Sequence, residues 1–275
     1  MRIVLIIALK EIREGLRNRW VLATTLLLAI LALTLAFLGS APTGSIGASP
    51  LRVVVVSLSS LSVFLVPLIA LLLSHDAIIG EAERGAMLLL LSYPLARWQV
   101  IAGKFAGHLA ILAFATLIGY GAAAGMLTVV GEAVDPASWA AFSALIGSSV
   151  ILGAGFLAIG YLVSALVRER GTAAGISIGI WLVFVLIYDM ALLGLLIVDQ
   201  GHAITPSILN ALLLLNPTDV YRLLNLDGGA VGALSGMGNV ANHPSLGPTA
   251  LIAALIMWTA VPLVAAMLVF SKREL

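Results

Sequence analysis

Long apolar stretches, separated by short polar segments, dominate the pattern of this chain. A helix needs about 20 predominantly apolar residues to cross a hydrocarbon core about 30 Å thick. Stretches of that length predict six transmembrane helices, at about residues 20–38, 53–73, 105–130, 139–166, 172–198 and 246–270. The predicted fold class is therefore an all-α polytopic membrane protein, built as a single transmembrane domain over residues 1–275.

The composition supports this prediction. Hydrophobic residues make up 61% of the chain and charged residues 10%, whereas soluble domains carry about 25% charged residues. The absence of cysteine excludes disulfides, thiolate metal sites and cysteine nucleophiles from this chain. The net charge of +1 is spread over the ends of the loops, which argues against a nucleic-acid-binding surface.

Positive charge is distributed unevenly between the two sides of the predicted bundle. Of the 14 Lys and Arg residues, 12 precede the first span, follow the sixth, or lie in the second-to-third and fourth-to-fifth connections. Only Arg52 and Arg222 fall on the other side. Because basic residues near span ends stay in the cytoplasm, we expect both termini to be cytoplasmic.

Residues 1–19 have a helical pattern of their own. Leu9, Ile12 and Leu16 recur at i, i+3 and i+7 and form an apolar stripe beside basic residues. This pattern predicts an amphipathic helix on the cytoplasmic face, with its stripe in the headgroup region and its cations against anionic lipid. Two interpretations stay open: a juxtamembrane anchor, or an elbow helix that bears on a partner subunit.

Two connections are much longer than the others. Residues 75–104 form a charged cytoplasmic segment, and Pro94 disfavours helix just before it, so we expect two short helices that meet at a corner. Residues 199–245 form a periplasmic segment whose first half is apolar but broken by Pro206 and Pro217. A stretch broken in this way predicts re-entrant or interfacial helices rather than a seventh span.

Glycines at four-residue spacing predict close packing between helices. The matches are Gly103 with Gly107, Gly121 with Gly125, and the tandem series Gly171, Gly175 and Gly179. Because lipid gives helices no hydrophobic drive to associate, we expect the tandem face to pack on another helix of the same protomer or of a second copy.

The chain has none of the common catalytic motifs. It contains no P-loop, no H-E-x-x-H and no G-x-S-x-G sequence. His202 and His243 both fall in the outer segment without the spacing of metal ligands, so we expect no metal site. These absences favour a non-enzymatic membrane protein.

One ionisable residue, Asp189, falls toward the outer end of the fifth span. In one interpretation the helix ends near Tyr188, and Asp189 lies among the headgroups. In the other, Tyr188, Asp189 and Met190 line a central pathway. An intramembrane enzyme would need a second carboxylate or a nucleophile nearby in the membrane, and the sequence supplies neither.

The cytoplasmic segment carries a family signature. Residues 81–104 read EAERGAMLLLLSYPLARWQVIAGK. They resemble the coupling segment of ABC type-2 transporter permeases, E-x-E-R-G-x-x-x-x-L-L-S-x-P-x-S-R, with Ala96 where the family often has Ser. The resemblance implies a homodimeric permease driven by two copies of a cytosolic P-loop ATPase. ATP and Mg²⁺ would bind that ATPase, so the resemblance implies no cofactor in this chain.

The resemblance also assigns functional residues. ATPase coupling falls to Glu81, Glu83, Arg84, Gly85, Pro94, Arg97 and Trp98. In that interpretation the charges orient the segment on the ATPase, Pro94 supplies a corner, and the Trp98 ring wedges into the partner. The alternative is a solvated loop with ordinary helix caps.

Within the family, residues 8–20 and 212–226 most resemble permeases that support nitrous oxide reductase maturation. That resemblance implies a role in assembling the copper–sulfur site, with a periplasmic β-helical subunit and a copper-chaperone lipoprotein as partners. It places partner contacts at Asn216, Pro217, Asp219, Tyr221 and Arg222. Two alternatives stay open: export of a lipid-linked glycan, drug or ion, and a membrane scaffold that transports nothing.

Overall fold

The computed structural model describes residues 2–17, 19–39, 50–129, 136–199, 204–225 and 246–273, and every regular element in those ranges is a helix. The helices are α1 Arg2–Arg17, α2 Arg19–Gly39, α3 Pro50–Ser74, α4 Ile79–Glu83, α5 Ala86–Leu91, α6 Arg97–Val129, α7 Pro136–Leu166, α8 Arg170–Leu182, α9 Tyr188–Asp199, α10 Pro206–Leu214, α11 Pro217–Asn225 and α12 Pro248–Lys272. A π-helical turn, Val183–Ile187, joins α8 to α9. The all-α prediction is confirmed.

Five helical stretches are long and apolar enough to cross a membrane, and they lie in α3, α6, α7, α8–α9 and α12. They coincide with the second to sixth predicted spans. The first predicted span coincides with α2, whose 21 residues would extend about 31 Å at 1.5 Å per residue. Because the side chains of α2 are described only for residues 23–34, the count of six and the orientation in the membrane stay predictions.

Helix α7 lies at the centre of the bundle. It packs against α3, α6, α11 and α12, and its Phe156 and Tyr161 side chains are fully buried. In its most apolar window 78% of the residues are buried, against 11% for α8–α9 and 17% for α12. The fifth and sixth predicted spans therefore present most of their apolar surface to lipid or to another chain.

Helix α1 packs along the first turns of α6. A Cβ atom on Gly103 would lie 2.7 Å from the Cβ of Ile7, and one on Gly107 would lie 2.5 Å from the Cβ of Glu11. Any side chain at either position would push the two helices apart. The predicted close packing at these two glycines is confirmed, and its partner is α1.

Two other predicted surfaces face away from the described bundle. Leu9 and Leu16 of the α1 stripe are 47% and 44% exposed, so the elbow role of that stripe stays a prediction. Cβ atoms on Gly171, Gly175 and Gly179 would meet nothing within 4 Å. The tandem glycine face therefore has no neighbouring helix among the described residues of this protomer, which leaves a second copy as the predicted partner.

The fifth span continues past Tyr188, so the interpretation that placed Asp189 beyond the helix end is wrong. After the π-helical turn, α9 runs on to Asp199, and Asp189 is its second residue. A π-helical turn widens the helix by one residue and changes which backbone carbonyls keep a partner in the next turn. The helix is therefore locally distorted at the turn and does not end there.

The outer segment contains two short helices, as predicted. Thr205 caps α10 by accepting a hydrogen bond from the Ile208 amide at 3.4 Å, and Pro217 opens α11. The first five residues of α11 are buried, and the helix packs against α12, α7 and α3. We call this end of the bundle the distal end, and the end that holds α4 and α5 the coupling end. Residues 226–245, His202 and His243 lie outside the described residues.

Candidate functional site at the coupling end

The coupling segment, residues 75–104, folds as two short helices that lead into α6. Between α4 and α5, Gly85 turns the chain with a φ of 72°, a conformation that other residues adopt only at a cost. Pro94 lies in the turn between α5 and α6. The two short helices are confirmed, but the corner between them lies at Gly85. Pro94 occupies the next turn, where α5 ends and the chain leads into α6.

Glu81 points into the protein. Its carboxylate accepts a hydrogen bond from Lys104 Nζ at 2.7 Å, and the same ammonium donates to Glu11 of α1 at 2.8 Å. The three residues are 8%, 2% and 7% exposed, in the order Glu81, Lys104, Glu11. Lys10 Nζ also lies near this carboxylate, 3.3 Å from Glu81 Oε1. One ammonium group thus joins α1, α4 and α6.

His108 and Tyr161 extend these contacts to α7. His108 Nε2 lies 3.4 Å from the Glu11 carboxylate, and His108 Nδ1 lies 2.8 Å from the Tyr161 hydroxyl. Burial acts to raise the pKa of Glu11, but the hydrogen bond from His108 and the charge of Lys104 outweigh it and hold that pKa well below its usual value. Glu11 therefore stays ionised at neutral pH. We call Lys10, Glu11, Glu81, Lys104 and His108 the coupling-end cluster.

Glu83 and Asp76 hold the coupling segment against the start of α8. Glu83 Oε1 accepts a hydrogen bond from the backbone N–H of Arg170 at 2.8 Å. The Arg170 guanidinium lies 2.6 Å from the Asp76 carboxylate. Glu83 is exposed, yet its carboxylate is engaged within the chain.

Arg97 also turns toward the bundle. One of its guanidinium nitrogens donates to the carbonyls of Phe270, Ser271 and Arg273 at the end of α12. The guanidinium carbon lies 5.8 Å from the centroid of the Phe270 ring. Three of the charges predicted to orient the segment on an ATPase, those of Glu81, Glu83 and Arg97, therefore hold it to its own spans.

The remaining predicted coupling residues lie on the outside of the segment. Arg84 and Pro94 are exposed, Trp98 is 51% exposed, and Gly85 is partly exposed. These side chains are accessible to another molecule at the coupling end.

Sequence reasoning missed the apolar side chains beside them. Leu88, Leu89 and Tyr93 are 57%, 72% and 68% exposed, whereas Met87 is fully buried. A signal was available, because a six-residue helix made only of Ala, Met and Leu cannot turn every side chain into a core. The outward face, as we call it, comprises Arg84, Leu88, Leu89, Tyr93, Pro94 and Trp98.

A second, partly buried charged cluster lies at the distal end. Arg222 of α11 lies 2.5 Å from the Asp189 carboxylate and 2.9 Å from that of Asp219. Asn216 Nδ2 donates to Asp219 at 3.1 Å and to the carbonyl of Phe184, within the π-helical turn, at 3.0 Å. The distal cluster, Asp189, Asn216, Asp219 and Arg222, therefore fastens α11 to the distorted part of the fifth span.

The distal cluster holds more acid than base. Burial and the charge of Asp189 raise the pKa of Asp219 to about 7, against the lowering effects of Arg222 and Asn216. Asp219 therefore exchanges a proton near neutral pH, whereas Glu11 does not.

The three residues predicted to line a pathway do not share one surface. The Tyr188 hydroxyl donates to the carbonyl of Leu212 at 2.6 Å, and Asp189 meets Arg222. Met190 is 74% exposed. Successive side chains of a helix point in different directions. Tyr188 therefore contacts α10, Asp189 contacts α11, and Met190 faces away from the described bundle.

The residues predicted to contact a periplasmic partner lie mostly inside the bundle. The buried members of that set are Asn216, Pro217, Asp219 and Tyr221. The Tyr221 hydroxyl lies 2.9 Å from the hydroxyl of Ser149, and Arg222 is engaged in the distal cluster. The exposed apolar residues nearby are Ile208 and Leu215, at 47% and 58%. A partner at this end would therefore meet α10 and its C-terminal turn first.

Within the described ranges, no group of three or more His, Asp or Glu side chains is placed to hold a metal ion. The chemistry that these clusters support is ion pairing and, at Asp219, proton exchange.

This chain is similar to known transporter proteins. The family model described as ABC-2 family transporter protein matches residues 5–275. A probable ABC transporter permease protein NosY from Pseudomonas aeruginosa is 47% identical over 276 residues, which covers 100% of both chains. A second probable ABC transporter permease protein NosY, from Stutzerimonas stutzeri, is 46% identical over 275 residues and 97% of each chain. Both likenesses extend over nearly the full length of the chain.

Proposed function

Because this chain belongs to the ABC-2 family of transporter proteins and is a permease subunit of an ABC transporter, we propose that it couples ATP hydrolysis by a separate cytosolic ATPase to assembly of the copper–sulfur site of nitrous oxide reductase. The first half of this proposal rests on the family. The second rests on the full-length similarity to proteins named NosY and on the resemblance of residues 8–20 and 212–226 to permeases that support maturation of that reductase.

One structural observation carries the coupling role. The coupling segment turns its carboxylates and Arg97 toward the spans, whereas Leu88, Leu89, Tyr93 and Trp98 face the outside. Aromatic and apolar side chains on a rigid support are typical of the centre of a protein interface. A segment held in this way moves with the spans when a partner pushes on its outward face.

The proposed assembly is a homodimer. The sparsely buried fifth and sixth predicted spans and the open glycine face at Gly171, Gly175 and Gly179 supply apolar surface for a second copy. Two copies of a P-loop ATPase, which carry ATP and Mg²⁺, would bind the outward faces. A periplasmic β-helical subunit and a copper-chaperone lipoprotein would act at the distal end. We place the complex in a bacterial inner membrane with both termini in the cytoplasm.

Copurification tests the coupling role. The chain is expressed with its ATPase, purified, and reconstituted in nanodiscs. We expect the ATPase in roughly equal amount and a higher ATP turnover than the ATPase shows alone. Leu89→Asp places a charge in the outward face and should abolish copurification. Lys272→Gln changes an exposed cation at the same end and should not. Loss of the ATPase from the wild-type preparation would favour the scaffold alternative.

Reductase maturation tests the biological role. In a strain that lacks this chain, we expect nitrous oxide reductase to be made without its copper–sulfur site, as measured by its copper content and visible absorption. Expression of the intact chain should restore the site, and the Leu89→Asp variant should not. Normal maturation without the chain would favour export of another substrate.

A further inference from the structure

The hydroxyl of Ser164 links the start of α4 to the end of α7. Ser164 Oγ accepts hydrogen bonds from the backbone N–H groups of Ile78 and Ile79, each at 3.1 Å, and Ser164 is fully buried. The first N–H groups of a helix have no partner within the helix. The α7 side chain therefore supplies the partner that the first turn of α4 needs, and fixes the beginning of the coupling segment.

Arg273 links the end of α12 to the same turn of α7. One of its guanidinium nitrogens donates to the carbonyls of Ser164 and Ala165 at 3.3 and 3.0 Å, and the other donates to the carbonyl of Val167 at 2.8 Å. The last carbonyls of a helix lack partners and carry partial negative charge. A guanidinium that binds three of them holds α12 to α7 with defined geometry.

Arg97 closes the ring of contacts. It lies at the other end of the coupling segment, and one of its nitrogens binds the carbonyls of Phe270 at 3.0 Å, Ser271 at 3.4 Å, and Arg273. The beginning of the coupling segment is thus held to α7, its end is held to α12, and Arg273 joins α12 to α7. The two arginines bind backbone carbonyls and Ser164 binds backbone N–H groups, so each contact has one partner in the main chain of a helix or of its end.

We propose that Arg97 and Arg273 are positioning residues that carry movement of the coupling segment to the ends of α12 and α7. This inference rests on the proposed function and deepens it. Movement of the outward face would reach α12 through Arg97, and would then reach α7 through Arg273. The two arginines act in series, so loss of either one interrupts transmission from Arg97 to α7.

The test uses the nanodisc complex of the full chain with its ATPase. In Arg97→Gln and Arg273→Gln variants we expect the ATPase to copurify as with wild type, because the outward face is intact. We expect the stimulation of ATP turnover by the permease to fall about 5-fold or more, within the usual range of coupling between sites. The double variant should lose no more stimulation of ATP turnover than the single variant with the larger loss. Lys272→Gln, which changes the neighbouring exposed cation, should match wild type.

Lysine substitutions separate positioning from mere charge. Arg97 uses one nitrogen for all its carbonyl contacts, so Arg97→Lys should restore most of the stimulation. Arg273 uses two nitrogens on three splayed carbonyls, so Arg273→Lys should restore little, since one ammonium cannot reproduce that fork. Equal rescue at both positions would show that only the positive charge matters and would overturn the proposal.

A separate variant covers the case in which loss of an arginine prevents folding. Ser164→Ala removes the link to α4 without changing any charge, and we expect it to lower stimulation while the ATPase still copurifies. Full stimulation in Ser164→Ala, or a double arginine variant whose loss is the product of the single losses, would overturn the inference. If the wild-type chain neither binds nor stimulates the ATPase, the proposed function itself fails, which is a distinguishable result.

Discussion

The coupling-end cluster and the distal cluster, both at least partly buried, differ in their balance of acid and base. At the coupling end, two carboxylates meet two ammonium groups and a histidine. At the distal end, two carboxylates share one guanidinium. Buried charges are stable only when they are matched. The ion pairs of the coupling-end cluster should therefore persist at neutral pH, whereas the contacts of the distal cluster should be weaker there.

The difference shows in the direction of the pKa shifts. The pKa of Glu11 lies below its usual value, and that of Asp219 is raised to about 7. The first shift marks an anion that the fold stabilises, and the second marks an anion that the fold disfavours. Packing at the junction of α11 with the fifth span therefore depends on a proton near neutral pH, whereas the charge of Glu11 at the coupling end does not.

Removal of Lys104 should have the largest effect. Lys104→Met leaves two buried carboxylates without their shared cation, and breaking a buried ion pair in this way costs about 3–5 kcal/mol. We expect that loss in the free energy of unfolding, measured by denaturation in detergent. Lys10→Met is the control, because its side chain is 46% exposed and exposed pairs contribute about 0–1 kcal/mol. Equal losses of stability in the two variants would mean that burial does not make the Lys104 ion pairs more important than an exposed pair.

A methyl group between α1 and α6 should have the next largest effect. In Gly107→Ala the new Cβ would lie 2.5 Å from Glu11 Cβ, so α1 must move and draw Glu11 away from Lys104. Overpacking of this kind costs about 1–3 kcal/mol. Gly171→Ala is the matched control, since its Cβ would meet nothing within 4 Å. A loss in the control that equals the loss in Gly107→Ala would point to a general effect of helix glycines.

Acidification from pH 8 to pH 5.5 should strengthen the distal end. The pKa of Asp219 is about 7 in the fold against 3.8 ordinarily. Its contribution to stability is therefore fully present below about pH 4 and is lost as pH rises through 7. From pH 8 to pH 5.5 we expect a gain of about 1–2 kcal/mol, and slower hydrogen exchange in α11. Asp219→Asn should remove this dependence on pH.

The opposite behaviour would contradict the comparison. The pKa of Glu11 lies below its usual range, so its stabilising contribution is lost only as pH falls below about 4.5. Faster exchange in α11 at pH 5.5 than at pH 8 would show that protonation of Asp219 does not strengthen the distal end.

The turn at Gly85 should have the smallest effect. Gly85→Ala forces a left-handed backbone on a residue with a side chain, at a cost of about 1 kcal/mol. No neighbour would clash with the new Cβ, so the coupling-end cluster should survive, and Lys104→Met should cost as much in this background as in wild type. A smaller cost of Lys104→Met in the Gly85→Ala background would mean that the turn, and not the cluster, sets the position of the segment.

The sequence predicts the helices well, because hydrophobic length and the positions of prolines are local signals. The second to sixth spans, the two helices of the coupling segment and the pair at Pro206 and Pro217 are all present. The direction of side chains is not a local signal. Glu81 and Arg97 looked like surface charges, and both face inward because their partners, Lys104 and the end of α12, approach only in the folded chain.

The distal cluster shows the same limit. Asp189 and Arg222 lie 33 positions apart in sequence, and their contact depends on α11 folding back between the spans. The π-helical turn that presents the Phe184 carbonyl to Asn216 has no sequence pattern of its own. The position of Asp189 within a helix therefore required the tertiary structure, whereas its presence in an apolar stretch was evident from the sequence.

Hydrogen exchange on the nanodisc complex, with and without ATP, shows whether the coupling segment moves together with its spans. The amides of Ile78 and Ile79, which are bonded to Ser164, should stay equally protected in both states, because the segment and its spans move as one unit. Protection in α11 should change between the two states. If ATP instead exposes the amides of α4 while α11 stays protected, the coupling segment separates from the bundle and does not transmit movement to it.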